Sequence, residues 1–234
     1  MPRKSRLLPW LVVLLVISLG LNLFITLPTV LILAGSDNLR FTFIEKIGRK
    51  LSKPRLVFLG DSLTLGGGNW SLRLGNPADF SVRTEGVSGG TILALQNSVD
   101  RAIASKPERI FLLAGTNDIV GRDFFGRSEK EVLQDGYEHL SEYLLEIQEA
   151  GIDPILTLIP YTQHPGHNEK IAAFNARLRG FAAQHDIQVF DLNPELAPDG
   201  LLQERFALPD GVHLAPPAYE VWAAEARKLL NPVK

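Results

Sequence analysis

The sequence predicts an α/β domain built on a parallel β-sheet, and three observations lead to that fold class. Short apolar segments alternate with longer segments of helical periodicity over residues 55–234. Most of these apolar segments lack polar–apolar alternation, which is typical of strands buried on both faces. The 234-residue chain is 45% hydrophobic and 21% charged. That composition is typical of a globular domain and excludes a disordered or collagen-like chain.

Five segments are predicted to be strands. The first, over 55–59, ends at Gly60, and the third is likewise followed by a glycine. The second segment alternates and is the exception to the buried pattern. The predicted strands span residues 55–59, 80–84, 109–114, 155–159 and 188–191.

Four segments have helical spacing. Ser128 followed by Glu131 has the spacing of a capping box, and Gly151 ends the same segment. Pro216 stands where the first turn of the last helix is expected. The predicted helices span residues 92–105, 128–150, 168–185 and 216–230.

Charge and cysteine content exclude several classes of function. Residues 56–234 carry 15 basic and 24 acidic side chains, and a nucleic-acid-binding surface requires clustered Lys and Arg. We therefore expect no nucleic-acid partner. The chain has no cysteine, so disulfide scaffolds, iron–sulfur clusters and cysteine nucleophiles are excluded.

The N-terminal segment predicts a membrane anchor. Residues 7–36 contain no charged residue, and about 20 helical residues cross a bilayer. We expect an anchor over 1–36 with residues 7–34 in the bilayer, followed by a basic juxtamembrane linker over 37–54. A cleaved signal peptide is the alternative, but its apolar region is shorter and ends in a small-residue cleavage site.

The orientation of this anchor is predicted from flanking charge. Arg3, Lys4 and Arg6 favour a cytoplasmic N-terminus, whereas the basic residues of the linker oppose it. Because the first helix usually follows its short N-terminal tail, we expect the domain over 55–234 on the non-cytoplasmic side.

Four short polar motifs lie at the ends of predicted elements. Gly60-Asp61-Ser62-Leu63 follows the first strand, and a glycine-rich segment over 86–90 follows the second. Residues 115–118 (GTND) follow the third strand, and residues 210–213 (DGVH) precede the last helix. The carboxyl ends of parallel strands form the ligand-binding edge of such a sheet, so these motifs are expected to form one site.

The residue types in these motifs suit acyl transfer. Ser62 can act as a nucleophile if the imidazole of His213 takes its proton. Asp210 can hold the other ring nitrogen of that imidazole. The N–H groups of Ser62 and Gly89 and the side-chain amide of Asn117 could then donate to the oxyanion.

These motifs resemble those of the SGNH hydrolases, the GDSL-type lipases and esterases, over residues 55–234. The resemblance implies a three-layer, flavodoxin-like α/β/α fold with a five-stranded parallel sheet and no metal or other cofactor. It assigns catalysis to Ser62, Asp210 and His213, and the oxyanion hole to Ser62, Gly89 and Asn117. One departure is Thr84 or Glu85 where family members often have Asn.

The resulting functional prediction is a membrane-anchored serine esterase acting through an acyl-enzyme on Ser62. Its substrate would be a lysophospholipid, another acyl ester, or an O-acetyl group on a glycan. Acyl transfer to a sugar hydroxyl is one alternative, which an acceptor-dependent product would reveal. A non-catalytic glycan- or lipid-binding module is another, although such a module has no need for all of the catalytic residue types.

Further residues near the motifs are candidates for substrate binding. Trp70 is expected at the rim of the site, and Phe124 and Phe125 either receive an acyl chain or pack in the core. His164 is expected to shape the pocket. Its three-residue spacing from His167 could suggest metal ligands, but no carboxylate cluster accompanies the pair.

Asp61 and Asp118 flank two of the candidate site residues. We expect both carboxylates to form hydrogen bonds within their loops rather than to transfer protons.

Overall fold

The fold is known from a computed structural model that describes residues 55–75, 81–121 and 126–230. The predicted anchor over 1–36 and linker over 37–54 lie outside the described residues, as do Phe124 and Phe125. Within the described ranges, no helix combines the length and the apolar character that crossing a membrane requires.

Five parallel strands form the sheet, in the order β2-β1-β3-β4-β5. The strands are β1 (Leu56–Gly60), β2 (Val82–Gly86), β3 (Arg109–Leu113), β4 (Asp153–Thr157) and β5 (Gln188–Phe190). The chain adds β2 on one side of β1 and β3 on the other, so the strand order switches direction at β1. A crevice suited to ligand binding lies at such a switch point. The predicted three-layer α/β/α architecture is confirmed.

Helices cover both faces of this sheet. They are α1 (Ser62–Gly66), α2 (Trp70–Arg73), α3 (Gln96–Ala104), α4 (Thr116–Val120), α5 (Glu129–Glu149), α6 (Pro165–Gln184), α7 (Asn193–Leu196) and α8 (Pro216–Leu230). The four long predicted helices are confirmed within a few residues, and Ser128 forms the predicted capping box with Glu131. The short helices α1, α2, α4 and α7 were not predicted, because one turn carries no periodic signal.

The core follows from the buried strands. Val57, Phe58 and Leu59 of β1 are fully buried. On one face, the Phe58 ring stacks on Trp70 at a centroid distance of 4.3 Å, and Trp222 of α8 lies 5.0 Å from Trp70. Helix α5 packs against both α3 and α6. In the sheet, α3 contacts β1 and β2, α5 contacts β4, and α6 contacts β5. The prediction from the apolar pattern, that β1 is buried on both faces, is therefore confirmed.

Strand β4 begins earlier than predicted and contains a proline. The sequence placed its start at Ile155, whereas the strand begins at Asp153. Pro154 pairs in register with Ile110 of β3, but β5 pairs with β4 only from Ile155 onward. Pro154 therefore lies where one side of the strand has no ladder partner, which is a position that proline tolerates.

Candidate active site

Ser62 is the first residue of α1, and a single residue, Asp61, separates it from the end of β1. Asp61 caps this helix, because its Oδ1 accepts a hydrogen bond of 2.9 Å from the N–H of Leu63. A first-turn N–H has no acceptor within its own helix. The backbone N–H of Ser62 is therefore not used by α1, and an oxygen atom beside Ser62 Oγ could accept it.

Two aromatic side chains hold the carbonyl groups of this short helix. Tyr219 donates its hydroxyl hydrogen to Leu63 O at 3.0 Å, and Trp70 donates its indole N–H to Thr64 O at 3.0 Å. The prediction that Trp70 lies at the rim of the site is wrong, because its side chain is only 1% exposed. A large aromatic side chain stabilises the fold most when buried, with its N–H paired.

Ser62, His213 and Asp210 come together as the sequence predicts. Ser62 Oγ lies 2.9 Å from His213 Nε2, and His213 Nδ1 lies 2.7 Å from Asp210 Oδ2. Ser62 and His213 are 151 residues apart in sequence. They meet because α8, which follows His213, packs against α2 and bonds to α1 through Tyr219. An imidazole that bridges a hydroxyl and a carboxylate can take a proton from the hydroxyl.

The loop around Asp210 keeps its carboxylate ionised. Oδ1 of Asp210 accepts hydrogen bonds from the N–H of Val212 at 2.9 Å and of His213 at 2.8 Å. Partial burial acts to raise the pKa of Asp210, but these N–H donors and the His213 side chain outweigh it and hold the pKa below its ordinary value. Asp210 therefore remains an anion that can accept from His213.

The ends of β1 and β2 approach closely beside Ser62. The N–H of Val87 donates to Gly60 O at 3.1 Å. A Cβ on Gly86 would lie 2.1 Å from the same carbonyl oxygen, so a side chain cannot be accommodated at that position. This contact brings the glycine-rich segment over 86–90 next to the nucleophile helix.

Asn117 and Asp118 fix that segment from the other side. Asn117 donates one amide hydrogen to Gly90 O at 2.9 Å, and Asp118 Oδ2 accepts from the N–H of Ile92 at 3.0 Å. Gly89 lies between these anchors, in a turn closed by a 3.0 Å bond from Gly90 N to Val87 O. The second amide hydrogen of Asn117 is not needed for the bond to Gly90.

Two buried carboxyl groups lie beneath the site. Asp61 is 0% and Asp118 1% exposed. Burial raises the pKa of each to about 6, although the N–H of Leu63 and of Ile92, respectively, acts to lower it. The negative charge of Asp61 adds to the rise at Asp118. The predicted loop hydrogen bond is confirmed for Asp61, whereas Asp118 lies in α4 and accepts its bond from Ile92 of a different segment.

His164 lies against the loop of Asp210. Its Nε2 is 2.8 Å from the backbone oxygen of Asp210, and its ring meets the His167 ring edge-on at a centroid distance of 5.2 Å. The sequence predicted that His164 lies at the site edge of the sheet. It did not predict the contact with Asp210, because no sequence pattern relates residues 164 and 210.

Glu85 occupies one of the two positions where the sequence departs from the SGNH pattern. Its side chain is 10% exposed and pairs with Arg101, whose Nε lies 3.1 Å from Oε2. Thr84 beside it is also buried. The residues that replace the usual asparagine are therefore buried and held in place at the end of β2, just before the glycine-rich turn.

The functional residue that sequence reasoning missed is Tyr219. It lies on the buried face of α8, 156 residues from the carbonyl that it holds. Burial raises the pKa of its hydroxyl, so it stays a neutral donor. The only available signal was chemical, since a buried tyrosine hydroxyl requires a hydrogen-bond partner.

This fold and this residue arrangement define a hydrolase of the SGNH class. The chain belongs to the GDSL-like lipase/acylhydrolase family, whose sequence model matches residues 58–221. No curated protein sequence matches the chain significantly.

Solved structures share the fold at low sequence identity. A GDSL-like lipase from Bacteroides thetaiotaomicron is 19% identical, with a TM-score of 0.65 over 83% of this chain and 97% of that one. A putative lipolytic protein of the GDSL family from Desulfitobacterium hafniense is 24% identical, with a TM-score of 0.62 over 74% and 98%. An acetyl xylan esterase from Geobacillus stearothermophilus is 22% identical, with a TM-score of 0.61 over 77% and 95%.

Proposed function

We propose that this protein is a serine esterase that hydrolyses carboxylic esters through an acyl-enzyme on Ser62. One observation carries the proposal: His213 lies between Ser62 Oγ, at 2.9 Å, and Asp210 Oδ2, at 2.7 Å. A serine that acts only through binding has no need for a base and an orienting carboxylate in this arrangement.

The first half of the reaction forms the acyl-enzyme. Ser62 Oγ attacks the ester carbonyl carbon while His213 Nε2 takes the hydroxyl proton. His213 is held in its Nδ1–H form, because the ionised Asp210 can only accept a hydrogen bond at that nitrogen. The tetrahedral intermediate collapses when His213 returns the proton to the leaving alkoxide, and the alcohol departs.

The negative charge on the tetrahedral oxygen requires donors that already point to it. The N–H of Ser62, the N–H of Gly89 and the second amide hydrogen of Asn117 are the proposed oxyanion hole. The hydrogen bonds from Asn117 to Gly90 and from Ile92 to Asp118 support this assignment, since they tie two of the donor-bearing segments together. Donors fixed before the reaction need no reorganisation during it.

Water completes the cycle in the second half of the reaction. His213 takes a proton from a water molecule as its oxygen attacks the acyl carbon on Ser62. The second tetrahedral intermediate collapses, the proton passes from His213 to Ser62 Oγ, and a carboxylic acid is released. No metal or cofactor is required in this sequence of steps.

The proposed substrate is an acyl ester of a lipid or an O-acetyl ester of a glycan. The second option is supported by the structural likeness to an acetyl xylan esterase, and the first by the apolar N-terminal sequence. Phe124 and Phe125 are proposed to contact the acyl group. Shortening Phe124 to alanine should then change the preference for acyl chain length without loss of stability.

The test is a kinetic comparison of the full-length protein with two serine variants. Wild type is assayed on 4-nitrophenyl esters from acetyl to dodecanoyl, on acetylated xylan and on a lysophospholipid. Ser62→Ala is expected to abolish turnover on every substrate, while Ser105→Ala, whose hydroxyl donates to Ala102 O, retains it. Turnover that survives in Ser62→Ala would contradict the proposal.

We also propose that the N-terminal sequence anchors the protein with its catalytic domain on the non-cytoplasmic side. The proposal is supported by the uncharged run over residues 7–36 and the basic residues before it. Because the chain has no cysteine, Glu204→Cys introduces a single reactive thiol at an exposed position. A membrane-impermeant maleimide should label it in intact cells, and labelling only after lysis would contradict this orientation.

A further inference from the structure

A second loop forms hydrogen bonds to the segment that carries Asp210. We call residues 162–164 the bracing loop; it lies between β4 and α6. His164 Nε2 lies 2.8 Å from Asp210 O, and the N–H of Gln163 donates to Gly211 O at 2.7 Å. Two successive carbonyl groups of the catalytic segment are thus bound by two successive residues of the bracing loop.

The donor and the acceptor of the hydrogen bond between His164 and Asp210 O are defined. A backbone carbonyl oxygen can only accept, so His164 Nε2 must carry the hydrogen. Both the neutral Nε2–H tautomer and the imidazolium meet this condition. The hydrogen bond to Asp210 O therefore persists whether His164 is neutral or protonated.

The bracing loop is itself fixed to the core. Thr162 is 1% and Asn168 7% exposed. The N–H of Thr162 donates to Asn168 Oδ1 at 2.8 Å, and the N–H of His164 donates to Thr162 Oγ1 at 3.1 Å. Asn168 Nδ2 also donates to Thr162 O at 2.8 Å. The exposed His164 ring therefore extends from a rigid base.

Gly211 matches the bracing loop in shape. Its backbone has φ 69°, a conformation that favours glycine, and a Cβ there would lie 2.9 Å from His164 Nε2 and 3.0 Å from Gln163 Cβ. The loops therefore touch without space for a methyl group. This close fit limits how far the segment that carries Asp210 can move relative to the bracing loop.

We propose that His164 is a positioning residue, which holds Asp210 in register with His213 through the Asp210 backbone carbonyl. The Asp210 and His213 side chains are 50% and 43% exposed, so water competes for their hydrogen bonds. An anchor on the Asp210 main chain limits how far its carboxylate can move from His213. This inference rests on the proposed function, in which His213 activates Ser62.

The test compares three variants of one residue in the full-length protein. His164→Ala removes the donor. In His164→Gln, the amide nitrogen reaches about as far from Cβ as Nε2 does, whereas the amide nitrogen of His164→Asn corresponds to Nδ1 and falls short. His185→Ala, at the opposite end of α6, is the matched control. The kcat and KM for 4-nitrophenyl acetate, the rate of fluorophosphonate labelling and the Tm are measured for each.

For His164→Ala and His164→Asn, we expect kcat and the labelling rate to fall about three- to tenfold, as one lost hydrogen bond predicts, with KM within twofold. His164→Gln should restore most of kcat, and His185→Ala should match wild type. Full kcat in His164→Ala, a change confined to KM, or no rescue by Gln at unchanged Tm would each overturn the inference.

Gly211→Ala keeps the inference testable if His164→Ala lowers the Tm. The added methyl group should reduce kcat less in the His164→Ala background than in wild type, because the neighbouring ring is gone, and additive effects would overturn the inference. If wild type itself is neither labelled nor active, the proposed function fails, and not the role of His164 alone.

Discussion

The two halves of the catalytic arrangement are held in place by different means. The nucleophile half consists of Ser62 on α1, next to the fully buried Asp61 that caps this helix. The buried Trp70, whose ring packs against Phe58 and Trp222, holds the carbonyl of Thr64 in the same helix. The acid–base half consists of Asp210 and His213, whose side chains are 50% and 43% exposed. Core packing fixes the first half, whereas hydrogen bonds within and between surface loops fix the second.

This difference separates stability from catalysis. Substitutions of the buried residues around Ser62 remove packing contacts and therefore reduce the free energy of unfolding. Substitutions of the half-exposed Asp210 and His213 side chains reduce that free energy less, but they disturb the proton transfer itself. The site thus offers variants that test each half separately.

The largest expected effect is on the exposed half. Asp210→Ala should lower kcat by about 10⁴-fold, because His213 loses the carboxylate that selects its tautomer and stabilises its cation. The Tm should fall less than for the Trp70→Ala variant, because the loss is confined to half-exposed hydrogen bonds to the N–H groups of Val212 and His213 and to the His213 ring. Asp199→Ala, at another exposed carboxylate, is the control for kinetics and thermal unfolding. A loss of kcat below tenfold would show that Asp210 does not orient the base.

The next largest effect is expected on the stability of the buried nucleophile half. Trp70→Ala should cost about 3–5 kcal/mol of unfolding free energy, since it empties a large buried site and leaves Thr64 O without its donor. Leu72→Ala on the same short helix, at a side chain 47% exposed, should cost far less. Urea denaturation of both variants measures the difference, and equal stabilities would contradict the buried role of Trp70.

Asn117→Ala tests the donor side of the site. It should lower kcat by about 10²–10³-fold with a small effect on KM, because the oxyanion donor acts mainly in the transition state. The exposed Asn97→Ala serves as the control for steady-state kinetics. An increase in KM at constant kcat would instead assign Asn117 to substrate binding.

Asp118→Asn uses pH to test the burial of the carboxyl groups beneath the site. Burial raises the Asp118 pKa to about 6, so the folded state binds a proton more tightly than the unfolded chain. The contribution of Asp118 to the free energy of unfolding is therefore most favourable at low pH. It becomes less favourable as the pH rises from about 4 to about 6.

Asparagine cannot ionise, so this loss is absent from the variant. The stability of Asp118→Asn relative to wild type should rise by up to about 3 kcal/mol between pH 4 and pH 8. Asp199→Asn at the surface should show no such trend. Urea denaturation at several pH values measures it, and a pH-independent difference would mean that Asp118 is ionised throughout.

Much of the fold and the central contacts of the site could be predicted from the sequence. The apolar segments predicted the sheet, and the carboxyl ends of its strands meet at one edge, which predicted that Ser62 and Asn117 lie close together. His213 precedes the last helix instead of following a strand, and its place in the site was predicted from its residue type and the resemblance to the SGNH hydrolases. Trp70 was predicted wrongly, because sequence position next to the nucleophile does not reveal whether a ring points to solvent or to the core. Its stacking on Phe58 depends on tertiary packing alone.

Long-range contacts of single side chains were beyond sequence reasoning. Tyr219 on the last helix and His164 in the bracing loop each bind a carbonyl group of a distant segment. Such bonds have no periodicity and no local spacing. They become visible only when the path of both segments is known.

The central claim is that Ser62 is an activated nucleophile, and intact-mass analysis after treatment with a fluorophosphonate tests it most directly. Full-length wild type should gain the mass of one adduct. Ser62→Ala should gain none, and His213→Ala should react far more slowly, while Ser105→Ala behaves as wild type. A folded wild type that gains no adduct, or an adduct that persists in Ser62→Ala, would contradict the account.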